Sequence, residues 1–335
     1  MKKLIFVCTI LCLSLCMIYV NNSNCNAMVK EIHSNNIKKY IDEKETFIAY
    51  YDIDKNTTDI YTGTDIDVII NQKKCGIIHR KPKYPTKLLF GNIDILRKGH
   101  IINKIISYNS ENDESERPTI IGSDDRVIVE AHKRYTMPVC ATADLTIWHK
   151  DGNSSSATAF ELGDRLLATA GHVLINDKGS FPRAARVRFG YINGISVRRY
   201  DEDNIAGYIY VGDATGKNFN SDNDYGFIVW KEGVSDYVGY YGIDYSYGIN
   251  TPCESYGYPS GFNNNMVYCS GYVTDKYYCT IETSLDSSHG QSGSPIFTQG
   301  GYAIGILHGG NGEATFGRQL ETGLTSWLND KGYFD

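Results

Sequence analysis

The chain has no excess of positive charge: 33 Lys and Arg stand against 39 Asp and Glu, for a net charge of −6 over 335 residues. Nucleic acid is thereby excluded as the main partner, because phosphate binding needs concentrated cations. The basic residues between Arg183 and Arg199 read instead as a solvated strand face. Among the nine cysteines there is no Cys-x-x-Cys pair, and no histidine cluster accompanies them, so no metal site is expected and no cofactor is called for. The sequence enforces no internal repeat either.

What is present begins with a leader. Lys2 and Lys3 precede an apolar run from Leu4 to Val20, and Cys25-Asn26-Ala27 offers small residues at a cleavage site. This reads as a signal peptide, residues 1–27, and so as a secreted protein; left uncleaved, the run is long enough to anchor the chain in a membrane. Four cysteines (Cys8, Cys12, Cys16, Cys25) leave with it, Cys75 lies in the segment that follows, and an exported chain can oxidise Cys140, Cys253, Cys269 and Cys279 into disulfides of undetermined pairing. Residues 28–120 are rich in Lys, Asn, Ile, Asp and Glu and end in a polar run, Asn109 to Arg117, where a protease could cut. They read as a pro-segment, or alternatively as a separate accessory or attachment region.

From about residue 138 the pattern is β. Val187, Phe189 and Tyr191 alternate with Arg186, Arg188 and Gly190, and Asn193-Gly194 supplies a hairpin turn. Tyr208–Val211, Phe227–Trp230, Tyr268–Val273, Lys276–Ile281 and Tyr302–Leu307 read as further strands, a spacing that suggests a sandwich or barrels. Only Leu320, Leu324 and Trp327 fall at helical spacing, at the C-terminus.

Three short stretches carry chemistry. Ser284 to Pro295 sets Ser292 between Gly290 and Gly293, where glycine lets backbone amides approach a substrate carbonyl, so that the amides of Gly290 and Ser292 can form an oxyanion hole. Ser288 and Ser294 lack that glycine frame. A serine hydroxyl needs a base, and the base a carboxylate. His172 follows the apolar strand Leu166–Ala170, and Asp224 opens another, with Asp222 as the rival carboxylate. The order His, Asp, Ser excludes nucleophile-elbow hydrolases, which run Ser, acid, His.

Taken together, Thr169-Ala-Gly-His172, Asp224-Tyr-Gly-Phe-Ile228, Gly257-Tyr-Pro259, Gly290-Gln-Ser-Gly-Ser-Pro295 and Ile304-Gly-Ile-Leu-His-Gly-Gly310 resemble the chymotrypsin-like serine peptidases, most nearly their bacterial glutamyl endopeptidase branch. Ile120 to Arg126 resembles the start of the mature enzymes there. The resemblance covers residues 121–335 and implies an all-β fold, two antiparallel β-barrels with a short C-terminal helix, the site between them. His172 and Asp224 would come from the first barrel and Ser292 from the second. It implies a monomeric endopeptidase acting on proteins or peptides, made as a zymogen whose mature chain begins at Ile120 or Ile121. Val173 stands where many relatives have a cysteine, so that loop's disulfide is missing. Gln291 stands where pancreatic-type enzymes have aspartate, so an ammonium–carboxylate switch at that position is not expected. An intracellular quality-control protease would carry a downstream peptide-binding domain, and the chain ends soon after Trp327.

The resemblance also gives Asp286, Ser287, His289, His308 and Gly309 as substrate-binding residues. Asp286, six residues before Ser292, sits where the base of the primary pocket lies and would suit Arg or Lys. The branch reads Glu through a histidine in the pattern Gly-Ile-His, whereas here His308 comes one position late, and a one-residue shift turns a strand side chain to the opposite face unless the strand bulges. His289 is a second candidate cation. Preference for Glu or Asp is the reading adopted, with Arg or Lys as the alternative. A reading of another class is a catalytically silent protease fold used for binding or adhesion.

Overall fold

The computed structural model describes residues 30–33, 47–62, 80–87, 119–176, 179–212, 223–263 and 265–334. The leader, Cys75, the run 109–117 and Asp222 lie outside the described residues.

Among the described residues the strands form two sheets, antiparallel but for one parallel pairing in the second. The strands in chain order are β1 (Lys30–His33), β2 (Phe47–Asp52), β3 (Thr57–Thr62), β4 (Val127–Ile128), β5 (Thr142–Trp148), β6 (Ser154–Glu161), β7 (Leu166–Ala170), β8 (Ala184–Phe189) and β9 (Arg198–Tyr200). They continue with β10 (Ile205–Gly212), β11 (Asp224–Trp230), β12 (Gly242–Ile243), β13 (Pro252–Gly257), β14 (Val267–Tyr277), β15 (Thr280–Thr283), β16 (Pro295–Thr298), β17 (Tyr302–Gly310) and β18 (Thr315–Gln319). Among the described residues the α-helices are short: α1 (Gly171–Leu174), α2 (Ser235–Val238) and α3 (Thr322–Asp330).

Alternation builds the first sheet as the sequence implies. In β8, Ala185, Val187 and Phe189 are buried while Arg186 and Arg188 are half-buried on the other face. Asn193 and Gly194 both have positive φ, and Ile192 bridges Ile195, so the expected tight turn forms. The sheet runs β1-β3-β2-β10-β11-β7-β6-β5-β8-β9. Its last strands in one direction, β1 to β3, come from the region read as a pro-segment.

The second sheet closes on itself: β17-β16-β13-β14-β15-β18, with β18 pairing back to β17. Its interior holds Cys253, Cys269, Val273, Ile281, Leu285, Ile296, Ile304 and Leu307. One expectation fails here. Lys276–Ile281 is not a strand but a hairpin corner: Tyr277 pairs with Thr280, and Tyr278 at the tip has φ of 46° and is 87 % exposed. A run of β-favouring residues carries no mark of where the chain reverses.

Between the sheets, Phe160, Phe227, Tyr241, Phe297 and Ile306 form one apolar cluster with Leu320, Leu324 and Leu328 of the C-terminal segment. Each such side chain contributes roughly 1.5–3 kcal/mol by leaving water. The expected disulfides do not form: Cys140, Cys253, Cys269 and Cys279 are buried and joined to no other cysteine among the described residues. Burial pushes the thiols of Cys140, Cys253 and Cys269 up to about 12, so they pack as protonated, weakly polar groups. Among the described residues no helix is long and apolar enough to cross a membrane.

Candidate active site

β7 ends at Ala170 and the chain turns through Gly171 into α1, which carries His172. Glycine is required at the turn, since a Cβ on Gly171 would lie 2.8 Å from Asp224 Oδ1 and 3.0 Å from the Tyr225 carbonyl. That closeness lets one carboxylate hold the histidine twice. His172 backbone N–H donates to Asp224 Oδ1 at 2.7 Å, and Nδ1 donates to Oδ2 at 2.7 Å. Because a carboxylate only accepts, the proton sits on Nδ1 and leaves Nε2 as the free base position. Burial opposes charge on both groups. For His172, the field and hydrogen bond of Asp224 outweigh it and raise the pKa above the ordinary 6.5. For Asp224, burial is likewise overcome, chiefly by the charge and hydrogen bond of His172, so the carboxyl stays far below the usual range.

The Ser292 loop is pressed against the end of β7. Gly293, at φ 86°, has no room for a side chain, because the Thr158 carbonyl and Thr169 Oγ1 occupy that side and Ala170 N lies 3.0 Å away. Thr158 N–H donates to the Ser292 carbonyl at 2.9 Å, and Thr158 Oγ1 donates to the Gly290 carbonyl at 2.9 Å. Gly290 has φ of 94° and backs onto the Tyr258 carbonyl. Among the described residues, neither the Gly290 nor the Ser292 amide donates to another group, so both are available to an incoming oxygen.

Gln291, buried beside the serine, is held by a residue that its sequence context did not reveal. Arg126 Nη1 donates to Gln291 Oε1 at 2.8 Å and to Ser288 Oγ at 2.5 Å, and Ser288 N–H donates to the same Gln291 oxygen at 3.0 Å. The Arg126 guanidinium also pairs with Asp124 at 2.8 Å and lies over the Phe262 ring. The only clue in the sequence was that Arg126 falls within the stretch resembling a mature start.

The residues expected to bind substrate divide. Asp286 is 2 % exposed and its carboxylate is taken by the chain's own backbone: Ile121 N–H donates at 2.7 Å and Asp125 N–H at 2.9 Å. A pocket-base carboxylate waiting for Arg or Lys is therefore not what the fold provides. Ser287 bonds Thr315 Oγ1 at 2.8 Å and exchanges two backbone hydrogen bonds with Thr119, each 2.9 Å. Thr119 is buried, its hydroxyl filling the space beside Gly310 and accepting from Gly312 N–H at 3.3 Å. His289 is exposed at the rim. Gly309 pairs with Phe316 across β17 and β18.

His308 does not serve as a pocket cation. The strand does bulge, with the register slipping between Leu307 and Gly309, but the bulge turns His308 toward Asp224, its Nδ1 3.9 Å from Oδ2. The ring stacks on Phe316, and its Nε2 is buried without a partner among the described residues. Burial, reinforced by the charge of Arg318, lowers its pKa to about 3, so the ring is neutral. Arg318 itself is 1 % exposed; Nη1 donates to Thr280 Oγ1, while Nε and Nη2 are without partners among the described residues. No cluster of His, Cys, Asp and Glu able to hold a metal occurs among the described residues.

Residues 141–320 match the sequence pattern of the Trypsin family, and the chain belongs to that family. It is 31 % identical over 185 residues to a protein of Bacillus licheniformis named glutamyl endopeptidase, a match covering 54 % of this chain and 55 % of that one, so the chain spans about half the length of the curated relative. A solved structure described as Glu endopeptidase in complex with MPD superposes with a TM-score of 0.55 at 22 % identity, covering 63 % of this chain and 98 % of that one. That likeness bears on the fold.

Proposed function

We propose that the protein is a secreted serine endopeptidase made as a precursor, with Ser292 as nucleophile, His172 as general base and Asp224 as its orienting carboxylate. The double grip of Asp224 on the His172 ring and backbone carries this reading, since it fixes the tautomer that leaves Nε2 able to accept a proton. In the reaction His172 Nε2 takes the Ser292 proton as Oγ bonds to the peptide carbonyl carbon, and the oxygen that becomes negative is met by the Gly290 and Ser292 amides. Collapse breaks the C–N bond, His172 returns the proton to the leaving amine, and water then repeats the sequence on the acyl-enzyme.

The precursor reading is supported by Thr119, which lies between Gly310 and Ser287, the latter proposed as part of the primary pocket. Cutting before Ile120 would free that space and leave a new ammonium on Ile120 next to it. An acidic substrate side chain fits such a pocket better than a basic one, because Asp286 is already engaged by Ile121 and Asp125. Preference for Glu or Asp is proposed on that ground, and it agrees with the name of the relative. Mass spectrometry of a peptide library digested by the processed protein, beside Ser292→Ala, tests both parts. Cleavage after Glu or Asp by the wild type alone is expected. Cleavage after Arg or Lys would overturn the preference, and no cleavage by processed protein would overturn the activity.

A further inference from the structure

The strands that cover the open edge of the first sheet come from the segment to be separated by processing. Residues Phe47 to Asp52 pair with Gly207 to Gly212, six of the eight residues of β10, and β3 pairs with β2 in turn. Both faces of this hairpin are buried in the family domain. Phe47, Ala49 and Ile60 enter the core of the first sheet with Tyr208, Tyr210 and Trp230. Ile48 and Tyr61 enter the cluster that holds the C-terminal helix, where the Tyr61 ring meets Trp327 edge-on at 5.6 Å. A second stretch, residues 80–87, exchanges backbone hydrogen bonds with Ile243 and Tyr240, between 2.7 and 3.2 Å. Arg80 donates to the Phe334 carbonyl at 2.8 Å, and Lys83 to Ser235 and Asp236 at 2.8 and 2.9 Å.

The domain is shaped for these segments. A Cβ on Gly207 would meet the Tyr51 carbonyl and lie 2.6 Å from the Tyr50 ring, one on Gly239 would meet the Lys83 carbonyl, and one on Gly242 would lie 2.5 Å from the Arg80 carbonyl and 2.7 Å from Pro82. Three glycines of the domain thus stand where the N-terminal segment needs room. Their vacancy, together with a paired edge strand and two buried faces, belongs to a permanent interface; a segment laid over a cleft to block it would need none of these.

We propose that residues 47–87 are a retained subunit: processing before Ile120 yields two chains that stay associated, the shorter one supplying the edge of the first sheet. The proposal rests on the processing step of the proposed function, and its test is independent of catalysis. In the Ser292→Ala full-length chain, residues 109–116 are replaced by the recognition site of an added sequence-specific protease. After cutting, size-exclusion chromatography and native mass spectrometry are expected to show both fragments in one particle, separating only in denaturant. A Gly207→Val, Gly242→Val version is expected to lose the shorter fragment after cutting, or to fail to fold at all; both results fit an interface that the domain requires. The proposal is overturned if the shorter fragment leaves the cut glycine-containing chain while the longer one keeps its melting transition. Labelling of wild-type Ser292 by a serine-hydrolase probe reads the activity separately, so failure of one reading is distinguishable from failure of the other.

Discussion

The two sheets of the protein solve the same problem differently. The second closes through β17 and β18 and exposes no edge in its ring of six strands. The first leaves β10 open and borrows β2 and β3 from more than a hundred residues upstream. Closure lets one half pair its own strands, while the other half takes its outer strands from the region proposed as a pro-segment. The catalytic proposal spans both, since His172 and Asp224 sit on the borrowed-edge sheet and Ser292 on the loop entering the closed one.

That contrast can be broken from either side. The largest effect is expected at the junction itself. Asp224→Asn keeps the shape but loses the acceptor that fixes the His172 tautomer, so acylation of Ser292 should fall about 10⁴-fold. In the parent, activity should be lost as pH falls through a value above 6.5, because the base must be neutral and Asp224 raises its pKa. Stopped-flow acylation across pH measures both.

Next come the cores. Phe47→Ala should cost about 3–5 kcal/mol of global stability, comparable to the roughly 2–5 kcal/mol expected for Ile296→Ala in the closed barrel. Both residues are fully buried. Denaturant unfolding decides: a cost near zero for Phe47→Ala would mean that the hairpin is docked on the sheet without being part of it.

Smaller again is Arg126→Met. The guanidinium is 5 % exposed and ties Gln291 to Ser288, so losing it should slow acylation about tenfold, about 1.4 kcal/mol of barrier, by loosening the amides beside Ser292. The least effect is expected from His308→Ser, about threefold or less, because a neutral ring 3.9 Å from Asp224 exerts only a weak field.

Much of this was legible in the sequence where local pattern decides. Alternation marked β8, Asn193-Gly194 marked the turn, and the apolar run Leu166–Ala170 marked the strand that leads to His172. Long-range pairing was not legible. Nothing in Phe47 to Thr62 announces an edge strand of a distant sheet, since its partner is chosen by the geometry of β10. The destination of His308 depended on a bulge, which a period-of-two reading does not contain, and Asp286 is engaged by backbone amides that any residues at positions 121 and 125 would supply.

The most direct measurement is labelling of the processed protein with a fluorophosphonate probe, followed by peptide mapping, beside His172→Ala. A single adduct on Ser292 in the parent and none in the variant is the predicted result. An unlabelled Ser292 in properly processed protein, or equal labelling without His172, would contradict the account.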